Sequence, residues 1–261
     1  TGATNSDWMT GTNWSNGTGP IQADAAIINS GTPLFSSGTT PGYNAIRQYG
    51  GTVTFSGGTF NCANNSAWES HVNGTLLHTG TVALINTLEI GRSTGATGLY
   101  TLSGGNLKIS RGINGNSLYL GANKSATASG TGTLQISGGT FSTRSGVKLG
   151  DTSVAGTGRF NVLGSVIEEI GIGTAGTDTD GTWVQNSGST LKVGIDPAGV
   201  RKIVIKDNGT TGGTSATFAS GALLDVGYYN SGWGTGSGGG TWTVMEVENG
   251  PITNNGLAFA P

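Results

Sequence analysis

Apolar and polar residues alternate along short stretches of this chain, and the stretches repeat. Gly51-Thr-Val-Thr-Phe-Ser-Gly-Gly-Thr-Phe60, Gly98-Leu-Tyr-Thr-Leu-Ser-Gly-Gly-Asn-Leu107 and Gly132-Thr-Leu-Gln-Ile-Ser-Gly-Gly-Thr-Phe141 are one phrase written three times. Gly158-Arg-Phe-Asn-Val-Leu-Gly-Ser-Val166 is a copy shorter by one residue, and Gly181-Thr-Trp-Val-Gln-Asn-Ser-Gly-Ser-Thr-Leu191 reads as a degraded copy longer by one. Val53/Phe55, Tyr100/Leu102, Leu134/Ile136 and Phe160/Val162 share one parity; Thr52/Thr54, Leu99/Thr101, Thr133/Gln135 and Arg159/Asn161 share the other. A period of two places alternate side chains on opposite faces, which predicts a strand with one face inward. Ser-Gly-Gly predicts a bend, because glycine accepts positive φ and close backbone approach. Beyond the bend, Phe60, Leu107, Phe141 and Val166 return to the interior.

A second repeated unit closes each coil: Leu88-Glu-Ile-Gly91, Leu118-Tyr-Leu-Gly121, Val147-Lys-Leu-Gly150 and Ile170-Gly-Ile-Gly173. Its outer positions form a column of Glu89, Tyr119, Lys148 and Gly171. Each coil is thus expected to hold at least two strands and two glycine corners. Stacked coil on coil, equivalent strands pair in parallel, and no coil buries its apolar face alone. The expected fold is all-β, a parallel β-helix. Phrase starts lie 47, 34, 26 and 23 residues apart, so the loops differ in length on a common stack. The longest early interruption, from Asn61 to Thr79, carries Trp68, Glu69, His71 and His78.

One continuous domain is expected, with residues 1–50 as N-terminal cap and first strands, 51–227 as coils, and 228–261 as a loop, last strand and tail. An open coil end exposes core and unpaired edges. Trp8 and Trp14 suit the task of covering it; the alternative for them is a sugar-stacking platform. Lys202 to Lys206 reads as a strand, Ala216 to Gly227 as a further coil, and Gly240 to Val247 as a strong final strand. Asn249 to Pro261 is expected to cover the last coil or to reach a neighbour.

Composition agrees with strands and turns. Of 261 residues 50 are glycine, and only 10% are charged. The glycine has no three-residue period, which excludes collagen. Net charge is −2, with no basic stripe, so nucleic acid is not an expected partner. No apolar run reaches the ~18 residues of a membrane span. Cys62 is the only cysteine, which rules out an intrachain disulfide, and it reads as a small buried hydrophobe. The composition is that of a secreted surface protein, and Thr1 opens the chain. The expectation is an extracellular or cell-surface product whose signal peptide is already removed.

The Trp-x5-Trp-Ser pattern from Trp8 to Ser15, the Ser-Gly-Gly phrases, the Leu-x-Leu-Gly closers and the terminal Gly240-Thr-Trp-Thr-Val-Met-Glu-Val247 resemble bacterial surface proteins with autotransporter-associated β-strand repeats. The resemblance covers most of the chain. It implies an extracellular right-handed parallel β-helix of the pectate-lyase-like kind, and no particular activity.

Candidate chemistry is sparse. Glycoside cleavage asks for two carboxylates across a groove, whereas the adjacent Glu168 and Glu169, if extended, point to opposite faces. Asp178-Thr-Asp-Gly181 resembles a fragment of a calcium loop but lacks the remaining oxygen ligands, so it reads as a turn. His71 and His78, seven apart near Glu69, match no ligand spacing. Lys108, Arg111, Arg144 and Lys148 follow consecutive phrases, and with Trp68 they are the candidate residues for binding an acidic glycan. No catalytic residue, metal ligand or cofactor is assigned. The leading expectation is a non-catalytic structural or adhesive β-helix, a subunit of a surface filament, sheath or matrix that self-associates through coil ends or edges. The alternative is a carbohydrate-binding or polysaccharide-cleaving, lyase-like β-helix, with polysaccharide as its partner and Trp68, Trp183 and Trp233 as its aromatics.

Overall fold

The alternation becomes three stacked sheets in a computed structural model of the chain, which describes residues 7–22, 24–63, 69–110, 116–125, 130–151, 156–162, 168–170, 180–196, 199–200, 202–207, 209, 213–228 and 243–260. The phrase strands form one sheet in chain order: Leu34–Phe35, Thr52–Phe55, Thr75–His78, Thr97–Leu102, Thr131–Ile136, Thr157–Val162, Thr190–Asp196, Leu223–Tyr228 and Ala258–Phe259. A return sheet holds Thr59–Cys62, Val82–Ile85, Asn106–Ile109, Thr140–Thr143, Glu168–Ile170, Ile203–Ile205 and Met245–Val247. A closing sheet holds Ala25–Ile28, Ala45–Gln48, Glu69–Val72, Thr87–Ile90, Asn116–Leu120, Gly146–Leu149, Thr182–Gln185, Ser215–Phe218 and Ile252–Asn254. Neighbours along all three paths pair in parallel; the short Gly199–Val200 strand adds one antiparallel pair to Thr190–Asp196. This is the expected all-β parallel β-helix.

Register confirms the phrase alignment, adds a third strand to each full coil and corrects three details. Each full coil has three strands, because the segment after Ser-Gly-Gly pairs as a strand of its own. Residues 61–79 are not an interruption: they contain the closing strand Glu69–Val72 and the phrase strand Thr75–His78, so the 47-residue spacing spans two coils. Thr182–Gln185 is not a phrase copy. Trp183 pairs with Val147 in the closing sheet, and the phrase strand of that coil is Thr190–Asp196. Likewise Ile170 pairs with Thr143 in the return sheet rather than in a closer. Val166 and Gly171 to Gly173 lie outside the described residues.

The inward parity builds continuous ladders. One runs Val53, Leu76, Tyr100, Leu134, Phe160, Leu191, Leu224 and Phe259. Another runs Phe35, Phe55, His78, Leu102, Ile136, Val162 and Val193. His78 occupies an apolar slot because its polar atoms are satisfied there. Its Nε2–H donates to the Thr81 carbonyl at 2.6 Å, which leaves Nδ1 to accept from the Tyr100 hydroxyl at 2.8 Å. Burial holds this histidine below its ordinary pKa. Gln48 and Gln185 solve the same problem in the closing sheet, each donating through Nε2 to two backbone carbonyls at 2.8–2.9 Å.

The two ends differ. Trp8 is buried, edge-on to Phe60 with centroids 5.2 Å apart and to Trp14 at 4.9 Å. Its N–H donates to the Leu34 carbonyl at 2.7 Å, and the Thr40 N–H to the Thr59 carbonyl at 3.1 Å, so the first edges of the phrase and return sheets are covered. Trp8 is therefore a cap. At the other end residues 249–260 cover the coil that holds Ser215–Phe218 and Leu223–Tyr228, adding Ile252–Asn254 and Ala258–Phe259 as strands of a further coil with Leu257 packed against the core. In the described part of the expected final strand only Met245–Val247 is a strand, and Gly240 to Trp242 lie outside the described residues.

Candidate functional site

The outer face of the closing sheet gathers more chemistry than any one phrase shows. Parallel register aligns Ile27, Arg47, His71, Glu89, Tyr119, Lys148, Val184 and Thr217 in one outward column. Glu69 lies beside it, two residues before His71 on the same strand. Outward residues of a solenoid normally meet water, yet Glu69, His71, Glu89 and Tyr119 are all buried. The loop after Ile90 brings Arg92 over them, and the loop after Gly121 brings Lys124.

Arg92 grips both acids. Its Nη1 lies 2.8 Å from Glu69 Oε1, and its Nε lies 3.2 Å from Glu89 Oε2. Lys124 repeats the pattern, with Nζ 2.7 Å from Glu69 Oε2 and its backbone N–H donating to Glu89 Oε1 at 2.7 Å. Arg92 Nη1 also donates to His71 Nδ1 at 3.1 Å, which leaves the His71 proton on Nε2. Tyr49 packs edge-on against the His71 ring at 4.9 Å.

The environments drive the two acids apart. Burial opposes the charge on Glu69, but hydrogen bonds from Lys124 and Arg92 outweigh it and bring the carboxyl down to about 2. Glu89 is more deeply buried, and desolvation wins over the Lys124 N–H and Arg92, raising it to about 6. His71 falls to about 4 through burial and the repulsion of Arg92 and Arg47. Burial raises Tyr119 to about 12. A split pair of carboxylates is the pattern of acid–base chemistry. In this pair, however, the carboxylate oxygens are held by Arg92 and Lys124. The arrangement works as an ionic clamp that seats two loops on the sheet.

The described residues among those named for glycan binding do not share one surface. Lys108 is exposed on the return sheet, in register with Ser142, and Arg144 follows on the next coil with its N–H donating to the Ile109 carbonyl at 2.9 Å. Those two are brought together. Lys148 stands on the closing sheet instead, 2.8 Å from the Asp151 carboxylate. Trp68, Arg111 and Trp233 lie outside the described residues, whereas Trp183 is wholly buried beside Phe160. Glu168 and Glu169 lie in a return strand. Asp180 accepts the Gly213 N–H at 2.8 Å, a contact between two loops, and Asp178 lies outside the described residues. Cys62 is buried, with its thiol pushed up to about 12 by burial.

Sequence reasoning named Glu69, His71, Glu89, Tyr119 and Lys148 but did not join the first two to the column. Once Glu69–Val72 is read as a closer, Glu-Ser-His-Val aligns with Thr-Leu-Glu-Ile and places His71 beside Glu89. Arg92 and Lys124 carry no such signal, because loop residues follow no repeat. Among the described residues no group of three or more His, Cys, Asp and Glu is arranged to hold a metal ion. Comparison with known protein families, with curated proteins and with solved structures finds no match.

Proposed function

We propose that this chain is a non-catalytic structural and adhesive β-helix of the cell exterior, a scaffold subunit that joins a second copy through its C-terminal coil. The observation that carries the reading is the exposure of that coil. Along one inward ladder, exposure rises from 2% at Leu191 to 77% at Phe259, and Ile252 is 54% exposed. Met245–Val247, Ile252–Asn254 and Ala258–Phe259 are the last strands of their sheets, and among the described residues nothing pairs with their outer edges. Residues 249–261 include no charged side chain. Exposed strand edges without charges invite further pairing, and of the three only Met245–Val247 carries a charge, Glu246, which is paired with Lys202 at 2.7 Å. The clamp of Glu69, Glu89, Arg92 and Lys124 supports the same reading, since its polar atoms serve the fold. The resemblance to surface proteins with autotransporter-associated β-strand repeats agrees with an exterior setting.

Sedimentation velocity across a concentration series, with electron microscopy of the same samples, tests this. Concentration-dependent association is expected, weakened at least about tenfold in the Ile252→Lys, Phe259→Lys double variant. Particles that stay monomeric at every concentration overturn it. The exposed Lys108 beside Arg144 favours a second reading, a polysaccharide-binding or polysaccharide-cleaving β-helix. A glycan array and a screen for unsaturated or reducing-end products test that reading, and silence in both removes it.

A further inference from the structure

The N-terminal cap does more than cover core. Between it and the first closing strand lies a cavity of 340 Å³, lined among others by Asp7, Trp14, Ser15, Ile27, Asn29 and Ser30. A second hollow of 180 Å³ adjoins it, sharing Trp14, Ser15 and Ile27 and adding Asn16, Pro20 and Asp24. The first lies within the usual volume range of small-ligand pockets, roughly 300–1,000 Å³. Trp14 and Ile27 stand at the junction of the two.

Trp14 is held in place before any ligand arrives. Its Nε1–H donates to the Trp8 carbonyl at 2.9 Å, and the Trp8 ring lies edge-on to it at 74°. On the other side the Gly19 backbone, at φ +77°, comes so close that a methyl there would sit 3.2 Å from the indole. With its N–H spent inside the cap, the indole offers a partner its apolar surface. Ile27 is 52% exposed and presents a second apolar surface from the sheet. Around these two stand the exposed polar groups of Ser15, Asn29 and Ser30, while the Asn16 amide is spent on the Thr18 and Gly19 backbone. Among the described residues lining either hollow, the only charged ones are Asp7 and Asp24, both acidic.

That combination selects a chemistry. A pyranose ring has an apolar C–H face that packs on an aromatic surface and a rim of hydroxyls that need amide, hydroxyl and carboxylate partners. A uronate, sulfate or phosphate would need arginine or lysine where this site has aspartate. A pre-fixed indole also lowers the ordering cost of binding. We infer that the paired hollows around Trp14 and Ile27 bind two consecutive units of a neutral oligosaccharide. The site is remote from the C-terminal coil, and it stands whether or not the chain self-associates.

Calorimetric titration and saturation-transfer NMR of the whole chain test it, with cellopentaose, mannopentaose and chitopentaose as neutral probes and pentagalacturonate as the acidic one. Saturable one-to-one binding of at least one neutral probe is expected, with none of the acidic probe. Trp14→Ala is expected to weaken binding at least about tenfold. Because that change also removes a cap contact, Ile27→Arg is the decisive variant: it fills the junction from an exposed position, with the melting temperature kept and binding lost. Absence of neutral binding, preference for pentagalacturonate, or undiminished binding by Ile27→Arg each overturns the inference.

Discussion

Glycine marks many corners of this chain, but its necessity differs from site to site. Gly121 sits at φ +61°, and a methyl there would collide with the Thr157 carbonyl of the next coil. Gly95 has φ +73° and open space around it. Both pay the left-handed cost of an L residue, about 1–2 kcal/mol, if changed to alanine; only Gly121→Ala must also push two coils apart. Chemical denaturation is expected to show Gly121→Ala the more destabilising by about 1 kcal/mol or more. Equal losses would mean that the close approach is not needed. The clamp makes a second prediction at this scale. His71, lowered to about 4, adds stability above its ordinary 6.5 that is lost as pH falls towards 4. Glu89, raised to about 6, acts in the opposite sense: its contribution is present below the ordinary 4.5 and is lost as pH rises through 6. Glu69, lowered to about 2, adds to the acid loss only below 4.5. Between 4.5 and 6 the histidine and Glu89 therefore oppose each other, each with a slope of at most about 1.4 kcal/mol per pH unit. Glu89→Gln is expected to make unfolding free energy climb more steeply with pH in that window. An unchanged slope in urea titrations at several pH values would reject the assignment.

The three strand types of a coil are distinguished by what surrounds them rather than by their alternation. Thr182–Gln185 shows this: Thr-Trp-Val-Gln reads as a phrase strand, yet Trp183 fills a closing-sheet slot beside Phe160. Thr75–His78 shows the converse, since a histidine in an apolar slot hid a phrase strand until Tyr100 and Thr81 were seen to satisfy it. The return strand Thr59–Cys62 anchors the capped end, because Phe60 touches Trp8, Phe35, Tyr43 and Phe55 at centroid distances of 4.4–5.7 Å. Phe60→Ala is expected to cost about 3–5 kcal/mol by opening that cluster. Val82, in the neighbouring return strand, is 51% exposed. Its replacement by alanine should stay within about 0.5 kcal/mol. Thermal or chemical unfolding of the two variants separates a packed ladder from a surface position, and similar losses would contradict the assigned faces.

At the scale of the molecule, the ends decide what assembly is open to it. A head-to-tail filament needs two complementary surfaces, one on each end. In this chain Asp7, Trp8 and Thr40 already occupy edges of the first coil, whereas among the described residues the strands of the last coil have no partner on their outer edges. On the scaffold proposal, association joins the last described coil of one copy to that of another and closes as a pair. Electron micrographs are then expected to show particles of doubled length and no fibres. Long fibres would assign the first coil a docking role that its cap argues against.

The repetition alone determined the parallel stack, the inward ladders and the glycine corners, because each follows from a period of two and from the need of every coil for a neighbour. It also made Trp8 a candidate cap, since an open coil end must be covered, but its burial against Phe60 was needed to decide between cap and sugar-stacking platform. The third strand per coil, the true sheet of Trp183 and the coil hidden in residues 61–79 were settled only by the tertiary structure. Alternation reports which face a side chain takes, not which sheet it belongs to. The clamp and the cap cavity belong to the tertiary structure for another reason. Arg92 meets Glu69 across 23 positions, and Lys124 meets it across 55. Such distances are closed by the winding of the coils, and no local pattern records them.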